Sequence, residues 1–287
     1  MKVAIVSDTN SGLLPEKAKS LVVHLIPMPF MINGDVYYEG VNLSQDAFYA
    51  MLDDKTTDIS TSQPSVADVL DLWDRLLEEY DEIVYVPMSS GLSGSCDTAM
   101  TLSRDYDGRV QVVDNHRISV TMKRSVEDAV ALAANGLSAA EIKARLEDTQ
   151  HDSSIYIMVD TMKYLKKGGR VTAAAATIGT VLNIKPVLQI QGGKLDAFAK
   201  PRGQRAACTA MLEAMKADFE SRFADMRDRM ELYVVHTNTP DQAVEFAEEV
   251  AAAFPQATVQ ITTLPLSIAC HIGPGALAIA TAVSLEK

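Results

Sequence analysis

The chain has 287 residues, of which 47% are apolar, and carries a formal net charge of −12. That length can bury one large core or two ordinary ones, and the acidic balance excludes nucleic acid as the main partner, because a phosphate backbone demands a basic surface. Three cysteines, Cys96, Cys208 and Cys270, without C-x-x-C spacing exclude a disulfide framework and a zinc site.

KVAIVSD (2–8) predicts a first strand, too short for the apolar region of a signal peptide, and it ends at the polar Asp8-Thr9-Asn10-Ser11-Gly12. VHLIPMPFMI (23–32) predicts a second extended segment, since its prolines disfavour a helix. SQDAFYAMLDD (44–54) and SVADVLDLWDRLLEEY (65–80) place apolar residues at helical spacing behind an N-capping serine. EIVYVPM (82–88) and RVQVVDN (109–115) are further strands, with a helix over TAMTLSRDY (98–106) between them. SVEDAVALAANGLSAAEIKARLEDT (125–149) predicts two helices joined at Asn135-Gly136. Strands alternating with helices imply a parallel sheet covered on both faces, whose ligands sit at the carboxyl ends of the strands. The loops after 2–8, 82–88 and 109–115 should therefore open at one edge and gather Asp8, Ser93 and Asp114.

Beyond residue 153 the pattern changes. SIYIMVD, KPVLQIQ, KLDAFAKP, ELYVVHT, TVQITTLP and ALAIATAV predict strands, two of them joined as a hairpin at Gly192-Gly193. Helices are predicted over RVTAAAATIGTVL (170–182), QRAACTAMLEAMKADFESRF (204–223) and PDQAVEFAEEVAAAF (240–254). The expected organisation is an N-terminal three-layer α/β/α domain with a parallel sheet over 1–153. A C-terminal α/β domain with a mixed, roughly six-stranded sheet follows over 154–287. The longest apolar run, VTAAAATIGTVLNI, is interrupted by Thr, Gly and Asn, so no membrane span is predicted and a cytoplasmic protein is expected.

The stretch MSSGLSGSCD (88–97) gathers hydroxyls and glycines after a strand, and it admits two readings. Gly91-Leu92-Ser93-Gly94-Ser95 is one residue from the G-x-S-x-G elbow, which would make Ser93 the nucleophile of an esterase or thioesterase. The order of His116, His151, His236 and His271 behind Ser93 permits that reading, but Ser95 replaces the closing glycine and no HGGG-type oxyanion segment precedes it. The other reading is an anion cradle, in which loop N–H groups, hydroxyls and the start of a helix near Cys96 share a negative charge. Nine Lys and Arg residues between Lys163 and Arg205, with Asp196 the only acid among them, likewise point to an anionic ligand, a phosphate or an acidic partner. The histidines have neither an i, i+4 pair nor an H-E-x-x-H motif, so no metal site is predicted.

Four segments taken together resemble one family. They are Thr61-Ser62-Gln63-Pro64-Ser65, SSGLSGS (89–95), YLKKGGRVTAAAATIGTVLNIKPVLQI with KPRG following, and His271-Ile272-Gly273-Pro274-Gly275-Ala276. In this order they resemble the DegV family of bacterial fatty-acid-binding proteins. The resemblance implies a two-domain α/β protein that buries one long-chain fatty acid between its domains, with no other cofactor and no catalysis of its own. By motif, Thr61 and Ser93 would hold the carboxylate, with Ser62, Gly94, His271 and Arg170 in support. Some members of the family pass the bound acid to a fatty acid kinase that makes an acyl phosphate for phospholipid synthesis. Lys167, Arg202 and Arg205 would then face the kinase subunit or its nucleotide phosphates. A phosphometabolite-binding protein related to dihydroxyacetone kinase is a further alternative, although no G-x-x-x-x-G-K-[ST] motif accompanies it. Two departures stand out: Cys96-Asp97 replace an aromatic residue, and Asn115–Lys123 lacks the family's glycines, so a bulkier wall is expected there.

Overall fold

The computed structural model describes residues 2–52, 56–178 and 183–286. The first seven strands are β1 (Val3–Asp8), β2 (Val23–Ile26), β3 (Phe30–Ile32), β4 (Asp35–Tyr37), β5 (Ile59–Thr61), β6 (Glu82–Val86) and β7 (Val110–Val112). Six more follow: β8 (Ser153–Met158), β9 (Val187–Ile190), β10 (Asp196–Ala199), β11 (Met230–His236), β12 (Val259–Thr263) and β13 (Leu277–Val283). The chain divides into two compact units, Met1–Gln150 with Glu286, and His151–Leu285.

In the first unit a four-stranded sheet, β2-β1-β6-β7, is parallel throughout. Side chains alternate across a strand, so β1 and β6 serve two layers at once. Ala4, Val6, Ile83 and Tyr85 pack with Val69 and Trp73 of the helix Val66–Leu76, whose start is capped by Ser65. Ile5 and Val84, equally buried, alternate to the face covered by the helices Ser119–Ala134 and Ala139–Asp148. The three-layer α/β/α arrangement expected from the alternation of strands and helices is therefore present. A second, antiparallel sheet, β4-β3-β5, was not legible, because strands of three residues are too short to display alternation.

The second unit holds one mixed sheet in the order β10-β9-β8-β13-β11-β12, antiparallel except for the β11-β12 pair. β13 is buried at every position. Leu232, Val234 and Ile279 pack against Met211 and Met215 of the helix Gln204–Glu220 and Phe246 of Pro240–Ala253. Each such large side chain taken from water contributes roughly 1.5–3 kcal/mol.

Four readings of the sequence need correction. VHLIPMPFMI is two strands in two sheets, because Pro27 and Pro29 lack the N–H needed to continue one ladder. The helix read from Ser125 begins six residues earlier, at Ser119. The alanine-rich helix is a single turn, Ala173–Ala176, entered through Thr172, whose Oγ1 accepts from the Ala175 N–H at 3.3 Å. Val171 before it bridges to Leu195, while the predicted portion over 179–182 lies outside the described residues. The short helices Pro15–Ser20, Lys163–Gly168 and Leu266–Ile272 were not foreseen, since two turns or fewer carry little periodicity. Among the described residues no helix is long and apolar enough to cross a membrane.

Candidate functional site

Because β1, β6 and β7 are parallel, their carboxyl ends share one edge, and the three loops that leave them are bonded to one another. Asp8 closes β1 fully buried, its Oδ1 accepting from the Asn10 N–H at 2.8 Å and its Oδ2 from the Met88 N–H at 3.2 Å. Ser89 donates its N–H to the Arg117 carbonyl at 3.0 Å, and Ser90 donates to Asp114 Oδ1 at 3.2 Å. The loop then tightens on itself, with the Gly91 N–H on Ser89 Oγ and the Ser93 N–H on the Ser89 carbonyl. Asp8, Ser93 and Asp114 thus belong to one connected edge.

Ser93 sits half-buried at the end of that loop, one residue before Gly94 caps the helix Ser95–Leu102. Its hydroxyl lies 2.8 Å from Ser95 Oγ and accepts from the Ser95 N–H at 3.2 Å. A nucleophilic serine needs an imidazole or equivalent base as partner. Here the partner is a second hydroxyl, while His116 lies 3.6 Å from Asp114. Ser93 and Ser95 instead pair their hydroxyls at a helix start, and the space beside Gly94 is open: apart from its two chain neighbours, none of the described residues places an atom within 4 Å of where its Cβ would stand. Cys96, which follows Ser95, is buried, and burial first and the nearby Asp114 second push its thiol up to about 12.

Thr61, half-buried, ends β5 and pairs with Phe30. Ser62 is exposed and turns its hydroxyl to the Gln63 carbonyl at 3.2 Å. Gln63 in turn accepts from Thr98 Oγ1 at 3.0 Å, so the segment carrying Thr61 is tied to the helix that follows Ser93. A narrow crevice lined by Gln63, Pro64, Tyr85, Ser95 and Thr98 lies at this junction. Gln63 and Thr98, 35 residues apart in sequence, carry no local signal that would have paired them.

Asp8 has a measurable consequence. Burial raises its carboxyl from 3.8 to about 6, against the lowering effect of the Asn10 and Met88 N–H donors. A raised folded value means that between about pH 4 and 6 the native state keeps a proton the unfolded chain has released. The stability it lends is full below about pH 4 and is lost as pH rises through 6, on the order of 3 kcal/mol in total. Carbon-13 NMR of the Asp8 carboxyl is expected to show a midpoint near 6; a midpoint near 4 would mean that the two N–H donors cancel the effect of burial.

In the second unit the structure brings Arg170 and His271 together. The helix Lys163–Gly168 packs on Leu266–Ile272, and a Cβ on Gly168 would stand 2.4 Å from His271 Nδ1. Glycine at 168 is what admits the imidazole. Gly273 serves Tyr164 likewise, its φ of 78° accompanied by a Cβ position only 2.4 Å from the Tyr164 ring. The Gly-Gly-Arg and His-Ile-Gly motifs are thus two sides of one helix contact. Arg170 donates to the Gly168 carbonyl. Burial, aided by the Arg170 charge, lowers His271 to about 4, so its imidazole is neutral at pH 7. Lys167, Arg202 and Arg205 are exposed, the last on the helix Gln204–Glu220.

Over residues 2–284 the sequence matches the DegV family, described as an uncharacterised protein family. The chain belongs to the DegV family. A DegV domain-containing protein of Deinococcus radiodurans is 34% identical over 216 residues, 75% of this chain and 77% of that one. Two solved DegV structures are superimposable over 99% of this chain and 100% of theirs. One, from Thermus thermophilus and described as fatty acid binding, has a TM-score of 0.89 at 28% identity. The other is the DegV protein of Bacillus subtilis, described as a fatty acid binding protein, with a TM-score of 0.87 at 26% identity.

Proposed function

We propose that this member of the DegV family binds one long-chain fatty acid non-covalently. Thr61 and Ser93 hold its carboxylate, Ser62, Gly94, Arg170 and His271 support the headgroup, and the tail is buried in apolar surroundings. The observation that carries this reading is the hydroxyl-lined loop, tied through Gln63 and Thr98 to the segment of Thr61, on a chain alike over its whole length to two fatty acid binding structures. The chemistry fits a carboxylate. Hydroxyls and loop N–H groups supply donors, and each bond to a charged group contributes roughly 1.5–3 kcal/mol. The tail supplies most of the affinity, at about 0.8 kcal/mol per buried methylene.

In this reading the chain supplies substrate and another protein supplies catalysis: a fatty acid kinase phosphorylates the bound carboxylate, with Lys167, Arg202 and Arg205 towards it. Mass spectrometry of the purified protein, native and after denaturing extraction, is the test. The expected result is one long-chain fatty acid per chain, lost on unfolding and never covalently attached. A protein that is empty and takes up no added fatty acid overturns the reading. The loaded protein mixed with ATP and a bacterial fatty acid kinase should yield acyl phosphate; none formed would leave binding without presentation.

A further inference from the structure

The helix Ser119–Ala134 starts at the same sheet edge as the Ser93 loop, and its first turn is incompletely satisfied. Around it, polar groups find partners: Asn115 Nδ2 donates to Ser125 Oγ at 2.8 Å, Arg117 Nη2 to the Thr149 carbonyl at 2.8 Å, and Thr121 Oγ1 to the Ile118 carbonyl at 2.8 Å. Ser119 is different. It is only 4% exposed, and its hydroxyl makes no hydrogen bond among the described residues. A buried hydroxyl left so costs about 1–3 kcal/mol unless something else binds it.

The backbone beside it supplies donors of the same kind. The opening N–H groups of a helix have no intrahelical acceptor, and the N-cap here is Ile118, whose side chain has no acceptor to lend. Val120, at 3% exposure, leaves little access for bulk water. A buried hydroxyl and a helix's positive end in one turn suit a negatively charged oxygen. The turn is also fastened to the ligand loop, through the Ser89 N–H on the Arg117 carbonyl at 3.0 Å and the Ser90 N–H on Asp114 Oδ1 at 3.2 Å.

We propose that the first turn of this helix, through the Ser119 hydroxyl, is a further carboxylate-binding point of the fatty-acid site. The inference rests on the fatty-acid reading above and adds to it a donor on a third loop. The segment Asn115–Lys123 is then part of the wall that holds the headgroup.

The test compares the wild type with Ser119→Ala, using palmitate labelled with carbon-13 at its carboxyl carbon. The expected result is a loss of affinity of roughly tenfold to a hundredfold, the effect of one hydrogen bond to a charged acceptor. The titration midpoint of the bound carboxyl should rise in the variant, because a donor to its charged form is gone. The ligand-free variant should unfold no earlier than the wild type, since it loses only an unmet hydroxyl; Ser119→Gly, at ease with the φ of 53° found here, repeats the comparison if alanine impairs folding. Equal affinity with an unmoved titration would overturn the inference, leaving the hydroxyl to a water molecule, while the fatty-acid reading stands. A wild type that binds no palmitate overturns both.

Discussion

Replacing Thr61 and Ser93 together by alanine is expected to weaken fatty-acid binding by roughly a hundredfold to ten-thousandfold, the effect of two hydrogen bonds to a charged acceptor at about 1.5–3 kcal/mol each. Residual binding should survive through the tail, whose burial does not depend on either hydroxyl. The fold should hardly notice. Both residues are half-buried, and at position 93 the change removes two contacts with Ser95, one of them a 3.2 Å bond from the Ser95 N–H. Fluorescent fatty-acid displacement checks the affinity and circular dichroism the fold. Unchanged affinity in a folded variant would remove both residues from the headgroup site.

A second large effect is expected where no ligand is involved. Asp218, 6% exposed on the helix Gln204–Glu220, accepts from Ser154 Oγ at 2.6 Å and Tyr156 OH at 2.8 Å, both on β8. Gln191 Nε2 donates to the same carboxylate at 3.2 Å and Arg222 Nη1 at 3.4 Å. The carboxylate therefore pins that helix to the sheet and balances a cation at its end. Asp218→Ala leaves two hydroxyls, an amide and a guanidinium short of their acceptor, and should cost about 3–5 kcal/mol, lowering the unfolding temperature by roughly 10 °C. Asp218→Asn keeps one acceptor oxygen and should cost less than half as much. Thermal unfolding of the two variants measures the difference, and a loss under about 1 kcal/mol in the alanine variant would show the network to be dispensable.

How far these features could be read in advance depended on the range of the forces behind them. The parallel sheet of the first unit was legible because KVAIVSD, EIVYVPM and RVQVVDN are short apolar runs separated by helical periodicity, and such an order leaves few topologies. The hairpin at Gly192-Gly193 was legible for the same local reason. Ser93 could be singled out from a dense cluster of hydroxyls and glycines behind a strand. Its role could not, since elbow and cradle differ in what lies across from the hydroxyl, and that turned out to be Ser95.

By itself, then, the amino-acid sequence determined the α/β class, the mixed sheet of the second unit, the candidate hydroxyls and, through its motifs, the family. These follow from periodicity, turn chemistry and short segments, all of which act within a few residues. Only the tertiary structure decided that Gln63 meets Thr98, that Gly168 yields its side-chain space to His271, and that Ser119 is buried with its hydroxyl unmet among the described residues. The physical reason is common to all three. A hydrogen bond between residues 35 apart, an imbalance of burial and bonding, or a missing Cβ filled by a ring 103 positions away leaves no pattern along the chain, because its energy arises when distant segments are packed together.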